Sequence, residues 1–415
     1  MSLPPRRTAA ASLAALPAGS HLVSSPGMGA PTTVLAALGE VSAGKHWTLD
    51  SGLLLDYPFL PAVIHGALAY RTWHVMPPVR DLVASGLVEY VPARASRLAS
   101  MLRRWRPDAA IVRVSPPDAA GYCSLGASVS YGQAALDVAR HRIGEVDPAV
   151  PRTCGDSLVH VSVFDSLVES ETPVPEYRAS RPSAVSSTIA DTILELLPHS
   201  PTLQIGIGGV PEALVRRLKD VDLGELRFVG MATDEMVDLF EAGRLRAGDV
   251  VPAPAVLSPD MMGGTRLLEF SDGNPAIGMY PSAVSHDPVA LSRIPRFVSI
   301  NTAIEIDLLG NVNSEVIHGR QISGTGGSLD YVETATRSAG GLRIVAVPST
   351  SSDGSISRIV RSLSSVTIPR TMVDVIVTEY GSARLEGLSA TERAEALVNI
   401  AHPGHRAALS AELAV

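Results

Sequence analysis

Cysteines and charged residues are both scarce in this sequence. Only Cys123 and Cys154 occur among the 415 residues, and charged residues make up 18% of the chain. Two cysteines are too few for a disulfide framework and too isolated for a structural zinc site. Their scarcity favours the reducing cytoplasm as the location of the protein.

Clusters of basic residues and long apolar runs are also missing from the sequence. The 34 lysines and arginines are scattered and the net charge is −8, which argues against nucleic acid because phosphate binding needs clustered positive charge. No apolar run approaches the roughly 18 residues that a membrane-spanning helix needs. We therefore expect a protein that binds neither nucleic acid nor membranes.

Glycine, proline and apolar side chains, by contrast, are abundant. The 35 glycines, 31 prolines and 46% hydrophobic residues are typical of short strands and helices joined by tight turns. A chain of 415 residues is too long for one ordinary core. Three prolines between residues 172 and 182, in a stretch without periodicity, mark the best boundary. We predict domains at residues 1–178 and 185–415.

Apolar periodicity after this boundary predicts a helix, a strand, a turn and a second helix. Residues 184–197 carry an apolar stripe with the helical period, and residues 202–205 read as a strand. The strand runs into residues 206–209, here called the first glycine turn, and Pro211 lies in the first turn of the next helix. This order is typical of a strand followed by a crossover helix.

The first half of the chain repeats the same order more weakly. A strand at 20–23, a turn at 24–29 and a helix at 31–38 follow one another. Strand-like runs at residues 109–114, 344–347 and 373–377 then alternate with helical patterns such as residues 390–400. The predicted fold class is α/β, with two similar open α/β domains and mainly parallel sheets.

Nine short segments carry a resemblance that extends from about residue 105 to the C-terminus. They are VSPPD at 114–118, GYCSLG at 121–126, PRTCGDS at 151–157, LQIGIGGVPEA at 203–213, NTAIEID at 301–307, GRQISGTGG at 319–327, PST at 348–350, TEYG at 378–381 and AHP at 401–403. In this order they resemble the acetyl-CoA hydrolase/transferase family, which includes the butyrate- and 4-hydroxybutyrate-type CoA-transferases.

The resemblance implies a site for coenzyme A at two glycine turns, the first at 206–209 and the second at 324–327. Glycine turns let backbone N–H groups approach a ligand, and a helix N-terminus adds partial positive charge. The positions expected to line the site are Gly206, Ile207, Gly208, Gly209, Val210, Ser323, Gly326 and Gly327. By the same resemblance, coenzyme A enters as an acyl-CoA substrate, no cofactor is tightly bound, and the protein is a homodimer.

The family's nucleophilic glutamate has no counterpart in a gapless comparison. In the family, the segment with the nucleophile precedes a helix that corresponds to residues 237–243 here. Counting back from this helix without gaps places Asp234 on the family's aspartate and Met231 on its methionine. The same count places Gly230 on the nucleophilic glutamate. A CoA-transferase needs this carboxylate to form acyl anhydride and glutamyl-CoA intermediates. An insertion with a compensating deletion would instead bring Asp234 or Glu235 into the position.

Three functions therefore remain open. The leading hypothesis is hydrolysis of an acyl-CoA thioester, or a related non-transfer reaction, without a glutamyl-CoA intermediate, with Glu235, Asp234 and Glu305 as candidate bases. Alternatively, the protein is a true CoA-transferase that uses Asp234 or Glu235, or an acyl-CoA-binding protein without catalysis. Each candidate base also has a purely structural interpretation. Asp234 caps the following helix, Glu235 is a solvated first-turn acid, and Glu305 shares a strand face with Asp307.

Overall fold

The structure is a computed structural model that describes residues 3–179, 181–247 and 253–411. The chain forms two compact units. The first unit comprises Met1–Arg178, Gly230–Asp234 and Ala247–His286, and the second comprises Ala179–Val229, Glu235–Arg246 and Asp287–Val415. Residues 230–234 and 253–286 thus group with the first unit, and the domain bounds 1–178 and 185–415 stay a prediction.

The elements before residue 178 alternate between strands and helices. The strands are β1 (His21–Ser24), β2 (Trp47–Ser51), β3 (Leu68–Thr72), β4 (Val88–Tyr90), β5 (Ala109–Val114), β6 (Tyr122–Ser124), β7 (His141–Val146), β8 (Cys154–Gly155), β9 (Leu158–His160) and β10 (Ser166–Glu169). The helices are α1 (Ala9–Ala14), α2 (Thr32–Val41), α3 (Leu60–Ile64), α4 (Arg80–Ala84), α5 (Leu98–Trp105) and α6 (Gly132–Val138).

The same alternation continues in the rest of the chain. The strands are β11 (Thr202–Ile205), β12 (Arg227–Val229), β13 (Ala232–Thr233), β14 (Val256–Ser258), β15 (Met261–Met262), β16 (Ile277–Met279), β17 (Phe297–Thr302), β18 (Glu305–Asp307), β19 (Val312–Asn313), β20 (Val316–Ile317), β21 (Arg320–Gln321), β22 (Leu342–Ala346), β23 (Ile359–Val360), β24 (Val375–Thr378) and β25 (Gly381–Arg384). The helices are α7 (Ala184–Leu196), α8 (Gly209–Leu218), α9 (Asp234–Glu241), α10 (Thr265–Ser271), α11 (Ser282–Ser285), α12 (Pro288–Leu291), α13 (Ser328–Arg337), α14 (Ala390–Asn399) and α15 (Pro403–Ala411).

The first unit is built on a seven-stranded sheet. Its strand order is β10-β7-β5-β1-β2-β3-β4, and every pair is parallel. All six residues of β5 are buried, as expected for a strand near the middle of a parallel sheet with both faces covered. The same unit holds three further parallel strands in the order β14-β16-β8.

The second unit repeats this architecture. Its strands run in the order β25-β24-β22-β17-β11-β12, and all pairs are parallel except β24 with β25. The strand β11 lies between β12 and β17 as β1 lies between β2 and β5. The prediction of two α/β halves with mainly parallel sheets is therefore confirmed. No helix in the described ranges is long and apolar enough to cross a membrane.

Candidate functional site

The first glycine turn connects the buried strand β11 to helix α8. All four residues of β11 are buried, and α8 begins at Gly209 with Gly208 as its N-cap residue. Gly208 has φ of +114° and ψ of 177°, a conformation that residues with a side chain rarely adopt. The glycine at this position is therefore required by the backbone.

The space around this turn is open on one side. A Cβ atom added at Gly206 or Gly208 would meet no heavy atom within 4 Å. A Cβ at Gly209, in contrast, would lie 2.9 Å from Ser186 Oγ, and Val210 is buried. The structure thus brings five predicted residues together in one turn, of which Gly206 and Gly208 present backbone toward open space, whereas Gly209 and Val210 pack inward.

The equivalent turn of the first unit, between β1 and α2, is closed. Residues 24–33 are all buried. A Cβ at Gly29 would lie 2.5 Å from Ser128 Cβ, and one at Gly27 would lie 3.8 Å from Met262 Sδ. Of the two related turns, only the first glycine turn, in the second unit, leaves room for a ligand.

The second glycine turn precedes helix α13. Gly326 has φ of +54°, and Gly327 is the N-cap residue of α13. The N–H of Ser323 donates to the carbonyl oxygen of Glu315 over 3.3 Å. Sequence reasoning did not identify Glu315, which contacts this region.

Gly230 stands in a segment that backbone hydrogen bonds hold in place. Its φ is +121°, and its N–H donates to the carbonyl oxygen of Leu257 over 3.0 Å. The N–H of Ala232 donates to the carbonyl oxygen of Asp260 over 3.1 Å, and β13 pairs with β15 in parallel. Ser128 Oγ donates to Asp260 Oδ1 over 2.5 Å, and burial raises the pKa of Asp260 to about 6. A glutamate at position 230 would carry backbone strain.

Asp234 is the first residue of α9, and its carboxylate contacts another helix. Asp234 Oδ2 accepts a hydrogen bond from the N–H of Gly264 over 3.0 Å. Gly264 is the N-cap residue of α10, so the carboxylate satisfies a backbone donor at the N-terminus of that helix. This partner lies 30 residues further along the chain, and the sequence did not indicate it.

Glu235 is buried and ion-paired. Only 9% of its surface is exposed, and its Oε1 lies 3.3 Å from Arg216 Nη2. The alternative of a solvated first-turn acid is therefore wrong, because Glu235 faces the Arg216 side chain of α8 instead of water. Arg216 comes seven residues after Gly209, the first residue of α8. At the usual rise of an α-helix this corresponds to about 10 Å along the helix axis.

Glu305 and Asp307 lie on the short strand β18 and have different partners. Glu305 Oε2 accepts from Asn313 Nδ2 over 3.3 Å. Asp307 Oδ1 accepts from the N–H groups of Leu309 and Asn311 over 3.0 and 2.8 Å, so it stabilises the turn that follows. Asp234, Glu235 and Glu305, the three candidate bases, thus each contact a different group.

The chain matches both domains of one family. The acetyl-CoA hydrolase/transferase N-terminal domain matches residues 36–176, and the C-terminal domain of the same family matches residues 263–413. The 4-hydroxybutyrate coenzyme A transferase of Clostridium kluyveri is 37% identical over 340 residues, which cover 80% of this chain and 79% of that protein.

Solved structures give the same relationship. The crystal structure of RipA from Yersinia pestis has a TM-score of 0.92 at 29% identity and covers 98% of this chain and 96% of its own. That of the 4-hydroxybutyrate CoA-transferase from Porphyromonas gingivalis has a TM-score of 0.81 at 29% identity, with 99% and 97% covered. The chain therefore belongs to the acetyl-CoA hydrolase/transferase family.

Proposed function

We propose that this protein hydrolyses an acyl-CoA thioester, or catalyses a related non-transfer reaction, without a glutamyl-CoA intermediate. The observation that carries the proposal is the backbone at Gly230. A glycine at φ of +121° has no carboxylate, and its conformation disfavours a side chain. Double displacement through a glutamate at this position is then impossible, whereas attack by water needs no covalent enzyme intermediate.

Coenzyme A binding is assigned to the second unit. The open space at Gly206 and Gly208 and the N-terminus of α8 support contact with a ligand there. Ser323, Gly326 and Gly327 are proposed to complete the site. Backbone N–H groups at the first glycine turn are suited to stabilising the oxyanion that forms when the thioester carbonyl is attacked.

Glu235 is the proposed base. It takes a proton from water, the hydroxide oxygen attacks the thioester carbon, and the C–S bond then breaks to release the acid and the CoA thiolate, which receives the proton. Arg216 holds the Glu235 carboxylate in one orientation. Asp234 and Glu305, which accept hydrogen bonds from Gly264 and Asn313, are the other candidate bases.

CoA transfer is the second candidate function, and the similarity to the transferase of C. kluyveri favours it. In this case Asp234 or Glu235 would replace the family glutamate as nucleophile. Exchange of label between an acyl-CoA and its free carboxylic acid separates the two functions, because exchange requires the acid to act as acceptor. Binding of coenzyme A without turnover of any acyl-CoA would identify a binding protein instead.

We predict that the wild-type protein forms no glutamyl-CoA adduct. The protein is incubated with acyl-CoA, treated with borohydride, which reduces such a thioester, and the peptide of residues 228–244 is analysed by mass spectrometry. The expected peptide is unmodified because Gly230 lacks a nucleophile. A reduced adduct on Asp234 or Glu235 would refute the proposal and establish the transferase mechanism.

Gly208→Val is expected to weaken the binding of coenzyme A at least about tenfold in calorimetry. The added side chain meets no protein atom within 4 Å at its Cβ, so the loss comes from backbone strain at φ of +114° and from occupation of the open space. Gly387→Val is the matched control, because Gly387 also has a positive φ of +80° and open space around it. Equal affinities of the two variants would remove the first glycine turn from the site.

The remaining assignments rest on the resemblance and the composition. We propose a cytoplasmic homodimer whose partner is a small acyl-CoA molecule and which holds no tightly bound cofactor. Size-exclusion chromatography with light scattering tests the oligomeric state.

A further inference from the structure

Glu315 stands at the centre of a hydrogen-bonded cluster in the second unit. Its Oε1 accepts from Thr325 Oγ1 over 3.1 Å and from Gln321 Nε2 over 3.4 Å. Its Oε2 accepts from Thr367 Oγ1 over 2.9 Å. One carboxylate thus gathers three side chains, two from the segment that follows it and one, Thr367, that lies 52 residues further along the chain.

The backbone of Glu315 adds contacts to the same segment. Its carbonyl oxygen accepts from the N–H groups of Ile322 and Ser323 over 2.8 and 3.3 Å. Gln321 Nε2 also donates to the carbonyl oxygen of Ser323 over 2.8 Å. Glu315 therefore contacts both the start of this segment and Thr325 within the second glycine turn.

Local secondary structure does little to fix this turn. The strand β21 ends at Gln321 and α13 begins at Ser328, and glycines occupy three of the intervening positions. Glycine has more backbone freedom than any other residue, so such a turn needs contacts from outside to hold a single conformation. The Glu315 carboxylate supplies one through the Thr325 hydroxyl.

We propose that Glu315 is a positioning residue that holds the second glycine turn in the conformation that binds acyl-CoA. This inference rests on the proposed function, since it assumes that the second glycine turn contacts the substrate. Glu315 acts through Thr325: the hydroxyl fixes the turn, and the turn presents its N–H groups to the ligand. Loss of the carboxylate leaves three side-chain donors without this acceptor, and the turn then samples other conformations.

Steady-state hydrolysis of acetyl-CoA, with binding of coenzyme A by calorimetry, tests this role. Thr325→Val keeps the shape of the side chain but removes the hydroxyl, and Glu315→Ala removes the carboxylate. Each is expected to raise KM and the dissociation constant for coenzyme A about tenfold and to change kcat by less than about threefold. Thr325→Ser keeps a hydroxyl at this position and is expected to behave as the wild type. The double variant should bind coenzyme A no more weakly than Glu315→Ala alone, because both substitutions break the same series of contacts.

Glu333→Gln is the matched control for charge. Glu333 is an acid of α13 whose Oε1 pairs with Arg337, and its substitution removes one negative charge at a residue outside the turn. It should leave KM unchanged. Amide hydrogen exchange should be faster at residues 322–327 in Glu315→Ala and Thr325→Val than in the wild type, which reports the turn independently of activity.

The possible failures are distinguishable. A wild-type protein that binds no coenzyme A refutes the proposed function. A wild-type protein that binds coenzyme A while Thr325→Val binds equally well and shows unchanged exchange at residues 322–327 overturns the role of Glu315. Additive effects of the two substitutions overturn it as well, since Glu315 would then not act through Thr325.

Discussion

Replacing Arg113 by methionine is expected to lower the free energy of unfolding of the first unit by about 3–5 kcal/mol. The side chains of Arg113 and Glu145 are both 0% exposed, and Arg113 Nη2 lies 2.7 Å from Glu145 Oε1. Methionine fills much of the same volume but leaves the Glu145 carboxylate buried without its cation. Urea unfolding followed by circular dichroism measures the loss.

The contacts of Arg113 explain why the effect should be large. Its Nη1 donates to the carbonyl oxygen of Pro173 over 3.0 Å, and its Nη2 donates to Thr32 Oγ1 over 2.9 Å and to Thr172 Oγ1 over 3.0 Å. One guanidinium group thus joins the N-terminus of α2 to the segment that ends the predicted first domain. Buried and partly buried acceptors, among them Glu145 Oε1 and Thr32 Oγ1, lose a charged donor at once when it is removed.

Two controls separate the buried charge from other effects. In Arg113→Met/Glu145→Gln the charge of Glu145 is gone and only Asp147, whose Oδ2 lies 3.6 Å from Arg113 Nη1, still lacks its cation, so part of the lost stability should return. Arg217→Met breaks the exposed pair between Arg217 and Asp191 and should cost no more than about 1 kcal/mol. A cost for Arg113→Met as small as that of Arg217→Met would contradict the importance of the buried network.

Glu235→Gln is expected to reduce acyl-CoA hydrolysis at least about a hundredfold while leaving coenzyme A binding intact. The amide is nearly isosteric with the carboxylate but cannot accept the proton of the attacking water. Single-turnover hydrolysis by wild type and variant measures the chemical step. A change of less than about threefold would exclude Glu235 as the base.

Arg216→Met distinguishes catalysis from simple ion pairing. It removes the partner of Glu235 and keeps the carboxylate. If Glu235 serves only as the partner of Arg216, the two variants should lose similar activity and stability. The proposed role requires a much greater loss of rate in Glu235→Gln than in Arg216→Met at comparable stability.

Elements fixed by local patterns were predictable from the sequence. The run at 202–205 coincides with β11 and the run at 109–114 with β5, because an apolar segment bounded by turn residues has few alternatives to a buried strand. The helical stripe at 184–197 matches α7, which Ser183 caps by accepting from the N–H of Ser186. In each case the decisive residues are neighbours in the chain.

Side-chain partners far apart in the sequence were not predictable. An acid in the first turn of a helix is ordinarily exposed, and no local pattern indicates that Arg216 covers Glu235. Glu315 contacts Thr367, which lies 52 residues further along the chain and comes close only once the fold has assembled. Likewise, the sequence shows glycines at both related turns but not that Ser128 fills the space beside Gly29.

Because of this difference, the two turns tolerate substitutions to different degrees during evolution. At Gly29 any side chain would collide with the Cβ of Ser128 at 2.5 Å, so purifying selection there acts on the ability to fold. At Gly206 an added methyl group meets no protein atom, so selection acts there through whatever occupies the open space. A lineage that adopts a new substrate can therefore accumulate substitutions at 206 while position 29 stays fixed.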